Sequence, residues 1–159
     1  MRSLVKSLEF GSDLWPALME DLHRRGQGHR ESGAFLLGRV TDTAKVVYDW
    51  LTYDELDPES LRYSIVRLNS STFAYLWEGC AARQMEVVAD IHTHPRGPAQ
   101  SRSDRAYPMI ALTGHIALIA PNFARAPVFP KDVSFNVYQG GGRWHSYYRS
   151  DAAALIKIL

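Results

Sequence analysis

The sequence predicts a single α/β domain built on a central mixed β-sheet flanked by helices, and three observations carry that reading. The chain has 159 residues, enough for one substantial core and too few for two ordinary domains, so one domain is expected over 1–159. Apolar runs of strand length alternate with segments of helical periodicity. The hydrophobic fraction of 46% and charged fraction of 22% are those of a water-soluble globular protein, with no run long enough to span a membrane.

Taken in order, Leu4 to Phe10 reads as a short strand. Ser12 or Asp13 then caps a helix that carries Leu14, Leu18, Met19 and Leu22 on one face, tolerates Pro16 in its first turn and ends at Gly26 to Gly28. Ala34 to Val40 and Lys45 to Trp50 are apolar, β-branched or aromatic runs separated by Thr41-Asp42-Thr43, the pattern of two antiparallel strands. Asp54 to Ser60 reads as a loop and Tyr63 to Leu68 as a strand. Asn69 or Ser70 caps a helix over about 72–84, with Phe73, Leu76, Trp77 and Cys80 at core spacing.

Glu86 to His92 is nearly continuous in apolar residues through Val87, Val88, Ala89 and Ile91, the mark of a central strand covered on both faces. A loop over Arg96 to Gln100 leads to a short helical segment at about 101–109. His115 to Ala120 is a second buried strand, and Val133 to Tyr138 pairs with Trp144 to Tyr148 across Gly140-Gly141-Gly142. A closing helix over about 150–158 is expected to bury Ala154, Leu155 and Ile158.

Composition narrows the chemistry. Eighteen Lys and Arg face 17 Asp and Glu for a net charge of +1, which gives no electrostatic case for nucleic acid as the partner. Cys80 is the single cysteine, so any metal site must be built from histidines and carboxylates, and Cys80 itself reads as a small buried apolar residue. Met1 to Phe10 lacks the apolar run of a signal peptide, so residence in the cytoplasm, away from membranes, is expected.

The informative stretch is Asp90-Ile91-His92-Thr93-His94-Pro95, followed by Ser101-Arg102-Ser103-Asp104. Residues two apart on a strand share a face, so His92 and His94 can offer ring nitrogens to one ion, and Asp104 can return from the next helix as third ligand. Two imidazoles and a carboxylate suit zinc, and three protein ligands leave a fourth position open, the catalytic arrangement rather than the structural one. His115 and His145 read as a satisfied buried histidine and a surface histidine, and Asp90 as a supporting carboxylate.

These residues resemble the JAB/MPN, or JAMM, zinc metalloproteases, whose signature is a glutamate followed at distance by His-x-His-Pro and then Ser-x-x-Asp. Glu31-Ser32-Gly33-Ala34-Phe35-Leu36-Leu37-Gly38 is similar to the glutamate segment, His92-Thr93-His94-Pro95 to the central motif, and Ser101 with Asp104 to the remainder. The order of elements from Leu4 to Tyr148 is also similar, so the resemblance covers most of the chain and implies a JAB/MPN, cytidine-deaminase-like architecture. One departure is visible: the family pattern leads to an expectation of six residues between proline and serine, whereas Arg96 to Gln100 provides five, and Ser103 is the other serine within reach.

The resemblance implies zinc held by His92, His94 and Asp104, with Glu31 as general base and acid and Ser101 as a donor to the developing oxyanion. It implies hydrolysis of the peptide or isopeptide bond after the C-terminal glycine of a ubiquitin-like protein. Because the chain has no recognisable insertions, that expectation becomes maturation or deconjugation in a bacterial ubiquitin-like system, alongside E1/E2-like enzymes. Val46 to Trp50 and the Tyr53 to Tyr63 loop are candidates for contacting the extended tail. Two alternatives stand beside this reading, a peptidase that acts on sulfur-carrier protein adducts and a non-catalytic interaction scaffold. A zinc deaminase is excluded, since that site needs a Pro-Cys-x-x-Cys segment.

Overall fold

A computed structural model describes residues 5–61 and 71–159. The described strands form one mixed sheet of eight, β1 (Ser7–Phe10), β2 (Gly33–Val40), β3 (Ala44–Thr52), β4 (Glu86–Thr93), β5 (Ile116–Ala120), β6 (Ser134–Gly140), β7 (Arg143–Tyr147) and β8 (Ile156–Ile158), in the spatial order β7-β6-β5-β4-β2-β3-β1-β8. Helices α1 (Leu14–Gly26), α2 (Tyr53–Leu56), α3 (Thr72–Arg83), α4 (Arg102–Ala106) and α5 (Arg149–Leu155) accompany it. The α/β fold class with a central mixed sheet is therefore the observed one. The expected strand at Tyr63 to Leu68 and the cap at Asn69 or Ser70 lie outside the described residues.

The sheet has a core on each face. On β2, Ala34 and Leu36 enter the larger core with Leu18, Leu22, Ile91, Leu118 and Phe135, while Phe35 and Leu37 enter a second core with Tyr53, Leu76 and Cys80. That double coverage is why β2 and β4 read as continuous apolar runs rather than alternating ones. Helix α1 docks through Trp15, Leu18, Met19 and Leu22, each buried, which contributes on the order of 1.5–3 kcal/mol per side chain. Trp15 replaces the expected Leu14 on that face, because its indole N–H reaches the Val128 carbonyl at 2.8 Å.

Three other expectations change. Asp54 to Ser60 is not wholly loop: Tyr53–Leu56 makes a helical turn, whose Glu55 accepts the Thr52 N–H at 3.0 Å. On α3, Leu76 and Cys80 are buried but Trp77 is 52% exposed. The closing helix stops at Leu155, and Ile156–Ile158 becomes β8, parallel to β1, so Ala152 and Ile156 are buried while Ala154 and Ile158 face outward. Joining an open sheet edge satisfies backbone groups that a last helical turn would have left unpaired.

The sheet also brings distant segments together at one point. Strand β4 lies antiparallel to β2, with His92 opposite Gly33, and parallel to β5, with His92 opposite Ile119. The residue before β2 and the end of β4 therefore meet in the middle of the sheet. None of the helices among the described residues is long and apolar enough to cross a membrane.

Candidate metal centre

Strand alternation sends His92 and His94 to one side and Thr93 to the other. His94 lies one residue past β4, yet its N–H still bonds the Ala120 carbonyl at 2.9 Å, so the ladder to β5 holds it in extended register. The two Nε2 atoms face each other at 3.1 Å. The third group arrives on α4. Asp104 Oδ1 lies 3.2 Å from His92 Nε2 and its Oδ2 lies 3.1 Å from His94 Nε2. One atom from each residue lies within 4.8 Å of the others, close enough to share a single ion.

Asp104 is positioned by its own helix. The Ser101 N–H donates to Asp104 Oδ2 at 2.8 Å and the Asp104 N–H donates to Ser101 Oγ at 3.1 Å, a reciprocal N-terminal cap. The five-residue approach from Pro95 leaves this local register intact, so Ser101 rather than Ser103 is the cap. A hydroxyl that accepts one bond still has a proton to donate, so Ser101 Oγ can give a hydrogen bond outward from the cap.

Glu31 stands two residues before β2 with Oε1 4.0 Å from His94 Nε2. Its segment is tied to the histidine strand: Thr93 N–H donates to the Ser32 carbonyl at 2.9 Å, Ser32 N–H donates to Thr93 Oγ1 at 3.0 Å, and Ser32 Oγ donates to the Leu22 carbonyl at 2.7 Å. Gly33 is required beside it, since a Cβ there would stand 2.3 Å from the Tyr53 ring and 2.7 Å from the Ile91 carbonyl.

The electrostatics follow from burial among mixed charges. Burial pushes the Glu31 carboxyl above the usual range, with Asp104 adding to the rise and the two histidines opposing it. Burial alone would lower the His92 pKa, but the hydrogen bond and charge of Asp104, with Asp90 and Glu31, bring it above the ordinary value. Burial likewise works against ionised Asp104, yet hydrogen bonds from His92 and His94 hold its pKa far below the carboxylate range. A carboxylate clasped by two rings whose nitrogens point at one place is the electrostatic preparation of a cation site. A metal ion would take the position of the shared protons. The donor set of two imidazole nitrogens and one carboxylate oxygen fits a divalent transition metal.

The remaining histidines do other work. His115, the residue before β5, has Nε2 2.6 Å from Asp90 Oδ2, both buried, and ties the start of β5 to β4 on the same face as His92. His145 stacks on Tyr147 at 4.5 Å. Burial raises the Cys80 thiol pKa, consistent with a packing role.

Comparison with known proteins places the chain in a family. A family model described as prokaryotic homologs of the JAB domain matches residues 13–128. The chain belongs to this prokaryotic JAB-domain family. The match runs from the first helix past the triad and Glu31, so all the assembled groups lie within the JAB domain. A protein of Sinorhizobium fredii named probable metalloprotease y4jG is 40% identical over 45 residues, a stretch that covers 28% of each chain. The solution structure of protein DSY2949 from Desulfitobacterium hafniense superposes with a TM-score of 0.66 at 13% identity, over 96% of this chain and 94% of that one. A protein from Salinibacter ruber gives 0.56 at 20% identity, over 90% and 92%. At such identities the two structures speak for the JAB fold alone.

Sequence reasoning missed the groups that hold this JAB centre together. The Ser32–Thr93 link carries no motif. A turn at Asn122, Phe123 and Ala124, with φ of 53°, 52° and 56°, has no glycine to announce it. That turn grips the loop that follows β4: Phe123 N–H donates to the His94 carbonyl at 2.8 Å and Asn122 N–H to the Arg96 carbonyl at 3.0 Å. His23 Nδ1 on α1 meets the Phe123 carbonyl at 2.9 Å.

Proposed function

We propose that this JAB-domain protein is a zinc-dependent peptidase that hydrolyses the bond after the C-terminal glycine of a ubiquitin-like modifier, in precursor maturation or in deconjugation. Family membership supports the metallopeptidase part, and the probable metalloprotease named above points the same way. The observation that carries the reading is the His92–His94–Asp104 triad with Glu31 beside it. A scaffold would have no need to keep two rings and a depressed carboxylate converging on one point beside a raised one.

His92, His94 and Asp104 would hold the zinc. When bound, it supplies Lewis acidity that polarises the scissile carbonyl and acidifies a water molecule. Glu31 takes a proton from the attacking water as the C–O bond forms, and its raised pKa suits it to hand that proton to the leaving amine as the C–N bond breaks. Ser101 Oγ, anchored as acceptor in the helix cap, donates its proton toward the carbonyl oxygen as negative charge grows there, a contribution of roughly 3 kcal/mol at most.

The cavity beside the triad supports a glycine terminus. It has a volume of about 80 Å³, and its lining includes Glu31, His92 and Asp104 together with Met109, Ala117 and Trp144. Space of that size favours a residue without a side chain. Within the first of the two segments considered for holding the tail, Val46 and Val47 are already paired on both sides, by β2 and by β1, whereas β3 from Tyr48 onward has no strand partner beyond β2 among the described residues. The partners on this reading are a bacterial ubiquitin-like protein, its conjugates and the E1/E2-like enzymes that make them.

The experiment is cleavage of a panel of ubiquitin-like and sulfur-carrier fusions by zinc-loaded protein, with and without a chelator. Chelator-sensitive release of the free glycine terminus from a ubiquitin-like fusion is expected. Zinc-loaded protein inert toward the whole panel would sink the reading, and cleavage confined to sulfur-carrier fusions would move it to that substrate class.

A further inference from the structure

A residue lining the small cavity beside the triad carries a polar atom with no partner among the described residues. Gln100, the residue before Ser101, lines it, and Gln100 Oε1 is buried without a hydrogen bond among the described residues. Buried acceptors in folded proteins are nearly always paired, so one left unpaired on a residue that lines a reactive cavity calls for a donor that arrives from outside. The neighbourhood defines that donor. Glu31 and Asp104 bring negative charge to the same wall, while Pro108, Met109, Ala117 and Trp144 are apolar or nearly so. A divalent ion held by the triad balances that charge, so the wall suits a neutral group. A neutral backbone N–H on a residue with little or no side chain fits both the charge and the volume of about 80 Å³.

We propose that Gln100 is a specificity-determining residue of this site, whose Oε1 accepts the backbone N–H of the glycine that supplies the scissile carbonyl. The proposal rests on the peptidase reading above. Gln100 directly precedes Ser101, so the acceptor and the hydroxyl donor proposed above are carried by consecutive residues. An extended substrate residue presents its N–H and C=O as the matching pair. A substrate bearing a larger residue at that place meets Met109 and Trp144, and one lacking the N–H leaves Gln100 Oε1 buried and unpaired.

The test pairs two proteins with two substrates. The wild type and Gln100→Leu, which removes the acceptor at similar volume, are each given an aminocoumarin amide of a peptide ending in Gly-Gly. Each is also given its counterpart ending in glycine and sarcosine, where a methyl group replaces the N–H. The wild type should lose about tenfold in kcat/KM on the sarcosine substrate, the leucine variant about tenfold on the glycine substrate, and the variant nothing more on sarcosine. Zinc content by elemental analysis and the melting midpoint should match in the two proteins, which separates recognition from folding. A variant whose losses on the two substrates are independent and multiply would overturn the Gln100 assignment alone. Zinc-loaded wild type that hydrolyses neither peptide, nor any fusion in the panel above, would overturn the peptidase reading and this proposal with it.

Discussion

Ser32 and Thr93 are bonded to each other in both directions, the Ser32 carbonyl accepting from the Thr93 N–H at 2.9 Å and the Thr93 hydroxyl at 3.5 Å, and the Ser32 N–H donating to Thr93 Oγ1 at 3.0 Å. Each stands next to a residue of the site, Ser32 to Glu31 and Thr93 to both histidines. The distance between the proposed base and the proposed metal ligands is therefore fixed by a contact on the far side of the strand. Thr93→Val keeps the shape, removes the hydroxyl acceptor and leaves the buried Ser32 N–H unpaired, at a cost of about 1–3 kcal/mol. Urea denaturation should show that loss, and kinetics should show a fall in kcat with zinc content unchanged.

Glu31 lies 4.0 Å from His94 and stands outside the triad. Glu31→Gln should bind zinc stoichiometrically while losing roughly 10²-fold or more in turnover, because the amide cannot shuttle a proton. Elemental analysis and steady-state assays of the same preparation check both halves, and full activity would remove Glu31 from the mechanism.

Acidity should act on the metal-free and loaded forms in opposite ways. His92 has a pKa raised above its ordinary value by its Asp104 partner, so its contribution to stability is complete below about 6.5 and is lost as pH rises through the raised folded value. The metal-free protein should thus melt at lower temperature as the solution is taken above neutrality. Zinc competes with that proton, so its affinity should rise over the same range with proton release. Thermal melts with chelator or zinc, and calorimetry in buffers of different ionisation enthalpy, measure the two trends.

His23 sits on α1, yet it contacts the left-handed turn that holds the His94 carbonyl. Three successive non-glycine residues at positive φ are held there only because neighbouring contacts oblige them to be. His23→Ala should lower stability by about 1 kcal/mol and hasten transfer of the metal to a competing chelator. A visible-range zinc indicator follows the second effect; an unchanged transfer rate would show that the turn holds without α1.

The parts of the fold that were legible in the sequence share a property: their signal is local. Strands β2 and β4 read correctly because both their faces are covered, and the His-x-His pair needs only strand alternation to become a ligand pair. The Ser101–Asp104 spacing is likewise a local helical cap. Strand β8 was not legible because Ser150 to Ile158 has acceptable helical spacing, and only the distant edge of β1 diverts its end. Trp77 looked like core by periodicity, but its side of α3 lies outside the packed face. Glu31 needed the family resemblance, since nothing in its own surroundings marks a carboxylate that the chain folds back to within 4.0 Å of His94.

The reciprocal cap between Ser101 and Asp104 has an evolutionary consequence. Because the serine amide holds the aspartate, and the serine hydroxyl receives the aspartate amide, ligand and hydroxyl travel as one rigid cassette. The stretch from Arg96 to Pro98 can gain or lose a residue without altering the internal geometry of that cassette, so insertions and deletions there alter how it is delivered, not what it presents. A lineage can reshape the rim of this centre by loop length alone while the chemistry beneath is inherited unchanged.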